Sequence, residues 1–280
     1  MLIHTWDVTT IEAERFRLDG GAMFGVVPKT LWSRQHPADE KNRIPMVTRC
    51  LLARGEGRVV LVDTGMGEQW SDKEREIYAI ENGHRSIVAG LAAAGLTPSN
   101  VTDVVLTHLH FDHAGGATTP RPGGPAPTFP SARYHVQEQQ LAWAQSPSEK
   151  DRRSYKPEHF LPLIQSGQLS PVKGAAEILP GISVWPTEGH TPGHQVVRIG
   201  AQRGAVIYCG DLIPTAAHVP TPWVMSYDLS PLTTMREKRE LLAKAAAAED
   251  LLVMEHDPFN PAVRVAPAGD GFESAGREDL

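Results

Sequence analysis

Thr107-His108-Leu109-His110-Phe111-Asp112-His113-Ala114-Gly115-Gly116 places three imidazoles and one carboxylate within six positions, directly after the apolar run Val104-Val105-Leu106. Neutral imidazole nitrogen and carboxylate oxygen are the donors Zn²⁺ takes at about 2.0–2.2 Å. A chain leaving a strand in extended form sends His108, His110 and Asp112 the same way. The chemistry this spacing supports is metal binding.

Four candidate donors in one segment exceed what a single catalytic zinc needs, since such an ion keeps about three protein ligands and an open position. Three further donors follow apolar runs downstream: His190 in Gly189-His190-Thr191-Pro192-Gly193-His194, Asp211 after Tyr208-Cys209-Gly210, and His256 in Val253-Met254-Glu255-His256-Asp257. Five imidazoles and two carboxylates suit two ions sharing one carboxylate. The assignment is His108, His110 and His190 on one metal, Asp112, His113 and His256 on the other, and Asp211 bridging them with a hydroxide. Two divalent ions, two carboxylates and one hydroxide leave a charge of about +1, which holds a nucleophile and favours a substrate oxygen turning negative. Zinc is the expected metal, with iron, manganese or cobalt as alternatives. Asp63, after Val59-Val60-Leu61-Val62, is the candidate partner for a ligating ring's other nitrogen. His4, His84, His135, His159 and His194 read as structural, His194 as the start of a strand.

The elements that must position these groups are short and mostly extended. Leu2–Thr9, Met46–Arg54 and Arg58–Val62 read as strands, the last two a hairpin around Gly55-Glu56-Gly57. His84–Ala94 reads as a helix closed by Gly95 and Pro98, and Val101–Leu106 as the strand that delivers the first cluster. Ala132–Val136, Ile182–Trp185, Gln195–Ile199, Ala205–Cys209 and Leu251–Met254 continue as strands, with helices over Gln137–Ala144 and Leu232–Ala248. This order predicts an α/β mixed-sheet system with helices on its outer faces. Thr118–Pro130, with its prolines and paired glycines, reads as a loop. Asp19–Pro45 lacks sustained periodicity and reads as a loop or lid near the active site, or as the contact of a homodimer. The expected organisation is one domain over residues 1–280.

Composition excludes other classes. Of 280 residues, 41% are hydrophobic and 21% charged, ordinary for a globular chain with a full core. A net charge of −6 repels a nucleic-acid backbone, and Lys150-Asp151-Arg152-Arg153 is too broken by acid to reverse that. No apolar run reaches the roughly 18 residues of a membrane span. The start Met1–Asp7 lacks the features of a secretion signal, and Cys50 and Cys209 sit in apolar runs that suit buried reduced thiols. A cytoplasmic protein without nucleic-acid or membrane partners is expected.

The His108-x-His110-x-Asp112-His113 pattern, followed in order by His190, Asp211 and His256 and preceded by Asp63-Thr64-Gly65, resembles the metallo-β-lactamase superfamily. The resemblance implies a four-layer αβ/βα sandwich with the metals at one edge between the sheets. Residues 19–32 with 39–42, and the run from Asp211 through Pro222-Trp223 to Tyr227-Asp228, are similar to its quorum-quenching N-acyl-homoserine lactonase-like branch. True β-lactamases of the fold carry Cys or Ser where Asp211 stands.

The implied reaction is opening of a lactone or ester, a small-molecule substrate, by a metal-bridging hydroxide, with Asp112 relaying the proton to the leaving alkoxide. Lactonases of this branch support the oxyanion with a tyrosine after the bridging aspartate; His218 is the polar residue expected in that place here. Met23, Phe24, Trp32 and Trp223 are the candidate acyl-chain pocket. Phosphotriester or aryl-ester hydrolysis is the alternative activity, and a metal-buffering protein the non-enzymatic one.

Overall fold

The computed structural model describes residues 1–3, 5–81, 85–200 and 203–280. The chain opens with β1 (Leu2–Ile3) and the long β2 (Trp6–Asp19), passes through α1 (Gly20–Phe24) and α2 (Lys29–Trp32), and returns antiparallel as β3 (Arg43–Gly55). β4 (Arg58–Val62) completes the hairpin, α3 (Asp72–Ile77) and α4 (Ile87–Ala93) follow, and β5 (Asp103–Val105) lies parallel to β4. Next come α5 (Phe111–Ala114) and a ribbon of β6 (Thr118–Thr119) with β7 (Ala126–Pro127). β8 (Arg133–Gln137), α6 (Glu138–Gln145), α7 (Pro157–Gln165) and β9 (Leu169–Val172) then finish a first sheet ordered β1-β2-β3-β4-β5-β8-β9. The second sheet takes β10 (Ala176–Leu179), β11 (Ile182–Thr187), β12 (His194–Ile199), β13 (Val206–Tyr208), and, after α8 (Pro231–Ala248), β14 (Leu251–Val253), β15 (Ala262–Ala268) and β16 (Gly271–Glu278), in sequence order.

Alternation along the strands sorts apolar side chains into three layers. Val60 and Val62 of β4 and Val105 of β5 share a buried cluster with Val184, Val197 and Val253 of the second sheet. Leu61 and Val104, one residue out of phase, belong to a cluster with Leu91 of α4 and Leu163 of α7. On the far side of the second sheet, Ile207 and Leu252 join Leu241, Leu242 and Ala245 of α8. Helix, sheet, sheet and helix are thus each separated by apolar packing, which is the four-layer αβ/βα sandwich.

Several boundaries differ from the sequence reading. The strand expected over Leu2–Thr9 is two antiparallel strands, β1 paired with the start of β2, and β2 does not stop at Thr9 but runs to Asp19, because Ile11, Ala13 and Phe16 keep an inward face against β3. Asp19–Pro45 is not without regular structure. Its ends belong to β2 and β3, and its middle holds α1 and α2, too short to show a helical period. Asp19 caps α1 by accepting from Ala22 N at 2.8 Å. The helix expected over His84–Ala94 starts at Ile87 behind the cap of Ser86, whose hydroxyl accepts from Ala89 N; His84, like His4, lies outside the described residues. Thr118–Pro130 carries the small β6–β7 ribbon. Cys50 and Cys209 are free and buried.

Candidate metal centre

Parallel strands deliver the donors to one edge. β4, β5, β13 and β14 run in the same sense within their sheets, and each ends in a donor-bearing segment: Asp63 after β4, residues 108–113 after β5, Asp211 after β13, His256 after β14. β11 is antiparallel to β12, and β12 to β13, so β11 also points this way and its exit carries His190. Convergence at the carboxyl ends of strands is where open α/β sheets place ligands. Two glycines make the close approaches. Gly210 has φ +51°, and a Cβ there would meet His194 Nε2 at 2.6 Å. Gly189 lies against Thr234 of α8, so only a residue without Cβ lets the His190 loop dock there.

The seven donors form two groups. His108 Nε2 lies 2.9 Å from His110 Nδ1, which lies 3.2 Å from His190 Nε2, and Asp211 Oδ2 approaches His190 Nε2 at 3.1 Å. In the second group His113 Nε2 and His256 Nε2 are 3.3 Å apart, with Asp112 oxygens 3.7 Å and 3.8 Å from them. Asp211 Oδ1 is 3.2 Å from His256 Nε2, so one carboxylate faces both groups.

Donors on one tetrahedral zinc at 2.0–2.1 Å are about 3.3 Å from each other, and these separations bracket that value. Hydrogen bonds on the outer ring nitrogens support the same arrangement. His190 Nδ1 donates to Asp228 Oδ1 at 3.0 Å, His256 Nδ1 to Val47 O at 2.9 Å, and His113 Nδ1 to Asp63 Oδ2 at 3.0 Å. Those bonds fix the proton on Nδ1 and turn the Nε2 lone pairs inward. With the rings neutral these lone pairs face one another inside a buried cluster, a repulsion that a cation or an added proton between them relieves, and Asp211 Oδ1 has no hydrogen bond. The residues present therefore fit divalent metal ions.

Electrostatics separates the imidazoles. Burial, with mutual repulsion, holds His108 and His110 well below the ordinary histidine range. Burial pushes His190 and His256 the same way, but the Asp211 carboxylate outweighs it and raises both to about 9. Asp63 also accepts from Thr107 N at 2.7 Å and Thr107 Oγ1 at 2.6 Å, which ties the start of the first cluster to the end of β4. Glu255 Oε1 is 3.0 Å from His113 Nδ1, yet the one proton there is taken by Asp63. Burial pushes the Glu255 carboxyl up to about 8.

Three supporting residues have no assigned role at the site in the sequence reading. Asp228 and Glu255 occur there only as parts of longer runs, and nothing in those runs marks them as partners of a ligating ring. His194 does start β12, and its Nε2 also accepts from Asp211 N at 3.1 Å while Nδ1 bonds Thr187 Oγ1, so this non-ligand ring aims the shared carboxylate.

A cleft of about 140 Å³ opens onto His110, Asp112, Asp211 and His256. Of the four expected pocket residues only Met23 lines it. Phe24 and Trp32 are fully buried and stack on each other at 5.3 Å, and Trp223 meets Phe24 edge-on at 5.8 Å, so these rings form a packed block behind Met23. His218 belongs to that block: it stacks on Phe24 at 4.7 Å, pairs Nδ1 with Thr215 Oγ1 at 2.7 Å and donates Nε2–H to Met23 O at 2.8 Å. Both nitrogens are occupied, so His218 has no donor left for an oxyanion and is structural. The apolar walls are instead Leu18, Tyr78, Phe111, Met225 and Tyr227.

Comparisons with known proteins fit this geometry. The sequence model of the metallo-β-lactamase superfamily matches residues 43–256. An N-acyl homoserine lactonase of Bacillus cereus is 27% identical over 175 residues, covering 59% of this chain; the chain spans about 63% of that relative's length. A solved structure of a probable metal-dependent hydrolase from Staphylococcus aureus superposes with a TM-score of 0.89 at 30% identity, covering all of both chains. AidC, described as a dizinc quorum-quenching lactonase, superposes with a TM-score of 0.81 over 100% of this chain and 97% of its own; at 18% identity this likeness speaks for the fold alone.

Proposed function

The chain belongs to the metallo-β-lactamase superfamily of hydrolases, and on that premise we propose that it is a dinuclear metal-dependent hydrolase opening lactones of the N-acyl-homoserine type. The observation that carries this reading is Asp211, whose two oxygens each face a different imidazole group at 3.1 and 3.2 Å. Two divalent ions, zinc by donor type, supply Lewis acidity and a water of lowered pKa.

The protein's own groups do the rest. His108, His110 and His190 would hold one ion and Asp112, His113 and His256 the other, with Asp211 facing both groups. Asp112, at the floor of the cleft, carries the proton to the leaving alkoxide. The oxyanion role expected of His218 passes to Tyr227, a partly exposed phenol on the cleft wall that is protonated at neutral pH and donates to the developing charge. An engineered dry cavity of about 150 Å³ takes a benzene ring. The 140 Å³ cleft therefore suits a five- or six-membered lactone, with the acyl chain leaving along Leu18, Met23 and Met225. In this reading residues 19–45 act within one domain as a wall of the cleft through Met23.

The test is kcat/KM for acyl-homoserine lactones, simple γ- and δ-lactones, an aryl ester and a phosphotriester on one zinc-loaded sample. Lactones leading by tenfold or more support the proposal. A phosphotriester or aryl ester leading instead replaces it with the alternative activity.

A further inference from the structure

The buried face of α8 contains a residue that does not belong in an apolar stripe. Thr234, Lys238, Leu241, Leu242 and Ala245 are its buried positions, and Lys238 is 0% exposed. No carboxylate pairs with its ammonium among the described residues. Its three N–H donors meet three main-chain carbonyls instead: Trp223 O at 2.7 Å, Pro220 O at 3.1 Å and Thr221 O at 3.4 Å. Burial pulls Lys238 down to about 7. An apolar side chain would fill this position without that desolvation, so the carbonyl clasp is what the lysine adds.

The clasped segment leads straight to the metal centre. Between the turn at Ala216–His218 and α8 the chain forms neither helix nor strand, and it carries Met225 and Tyr227 into the cleft wall. It then places Asp228 Oδ1 on His190 Nδ1 at 3.0 Å, while Leu229 N and Ser230 N donate to His190 O and Gly189 O. On the cleft side Lys150 Nζ reaches the carbonyls of Tyr227 and Asp228 from an exposed position. One loop is therefore tied by two lysines, the inner one fully buried.

We propose that Lys238 is a positioning residue: by fixing the carbonyls of Pro220, Thr221 and Trp223 it sets the shape of the 219–230 loop, and through Asp228 the ring angle of His190. The proposal rests on the reading of His190 as a metal ligand. Lys238→Met keeps the chain length and removes the donors; Lys238→Arg keeps charge and donors and guards against a misfolded first variant.

The readouts are Zn²⁺ affinity by chelator competition on the metal-loaded protein and hydrogen exchange of residues 219–230. Lys238→Met weakens zinc at the His190 group by about 10-fold or more and speeds exchange in the loop, while Lys238→Arg stays closer to wild type in both. Zinc affinity and loop exchange in Lys238→Met within about twofold of wild type, or equal losses in both variants, overturn it. His190→Ala separates the two levels. If it keeps full zinc content the site reading fails and the proposal with it. If it loses zinc while Lys238→Met does not, only the role of Lys238 falls.

Discussion

A histidine–aspartate contact lies at the start of strand β5 and another past its end, and the two mean different things. At its start Asp103 Oδ1 takes His135 Nε2 at 2.9 Å, while Oδ2 takes Arg58 at 2.9 Å and Thr102 Oγ1 at 2.8 Å. Every acceptor there is matched by a donor from the protein, and the result is a closed polar knot between β4, β5 and β8. Past its other end, His190 and Asp211 are as close, at 3.1 Å, yet they belong to a cluster in which ring nitrogens face one another and Asp211 Oδ1 has no hydrogen bond. Residue type and distance are alike in the two places. What distinguishes a site that binds something from one that holds the fold is whether the donors and acceptors already balance.

The comparison breaks if the two ends respond alike. Asp211→Ala has the largest expected effect: loss of paired metal content, measured by elemental analysis, and a fall in lactone hydrolysis on the order of 10³-fold or more. Next comes pH. His190 and His256 hold their protons up to about 9 in the metal-free protein, and ligation requires the neutral rings. Zinc affinity therefore climbs with pH, by roughly one to two decades per unit below pH 9; calorimetry in buffers of different ionisation enthalpy reads the released protons. Asp228→Asn, which removes the partner of His190 Nδ1, costs about 10- to 100-fold in zinc affinity.

At the quiet end, Asp103→Ala lowers stability by about 2 kcal/mol in denaturant titration, because it leaves the buried His135 without its partner, and leaves metal content and kcat/KM unchanged. The smallest effect belongs to the partly exposed pair of Lys156 and Glu74, 2.8 Å apart. Lys156 holds the Glu74 carboxyl down to about 2, so its contribution is complete above pH 4.5 and fades as pH falls toward 2. After solvent screening, Lys156→Gln costs about 0.5 kcal/mol at pH 7, read as a shift in urea midpoint.

The same distinction explains what the sequence could and could not reveal. His108, His110, Asp112 and His113 sit in one segment, and His190, Asp211 and His256 each follow an apolar run, so strand ends alone were enough to bring them together. The layered architecture was legible for a related reason: runs such as Val59–Val62 and Leu251–Val253 are apolar on both faces, as strands covered on both sides must be. Direction of a side chain was not legible. Phe24, Trp32 and Trp223 have the chemistry of a pocket but pack on one another, and His218 has the chemistry of an oxyanion donor but spends both nitrogens on Thr215 and Met23. Asp228, Glu255 and Lys238 act through partners far along the chain, and nothing local in the sequence specifies such partners.

Anomalous diffraction at the zinc edge from crystals of the zinc-loaded protein locates the ions themselves. Two peaks about 3.5–4 Å apart are expected, one among His108, His110 and His190, the other among Asp112, His113 and His256, with one Asp211 oxygen on each. A single peak at full occupancy, or Asp211 turned away from either position, would contradict that arrangement.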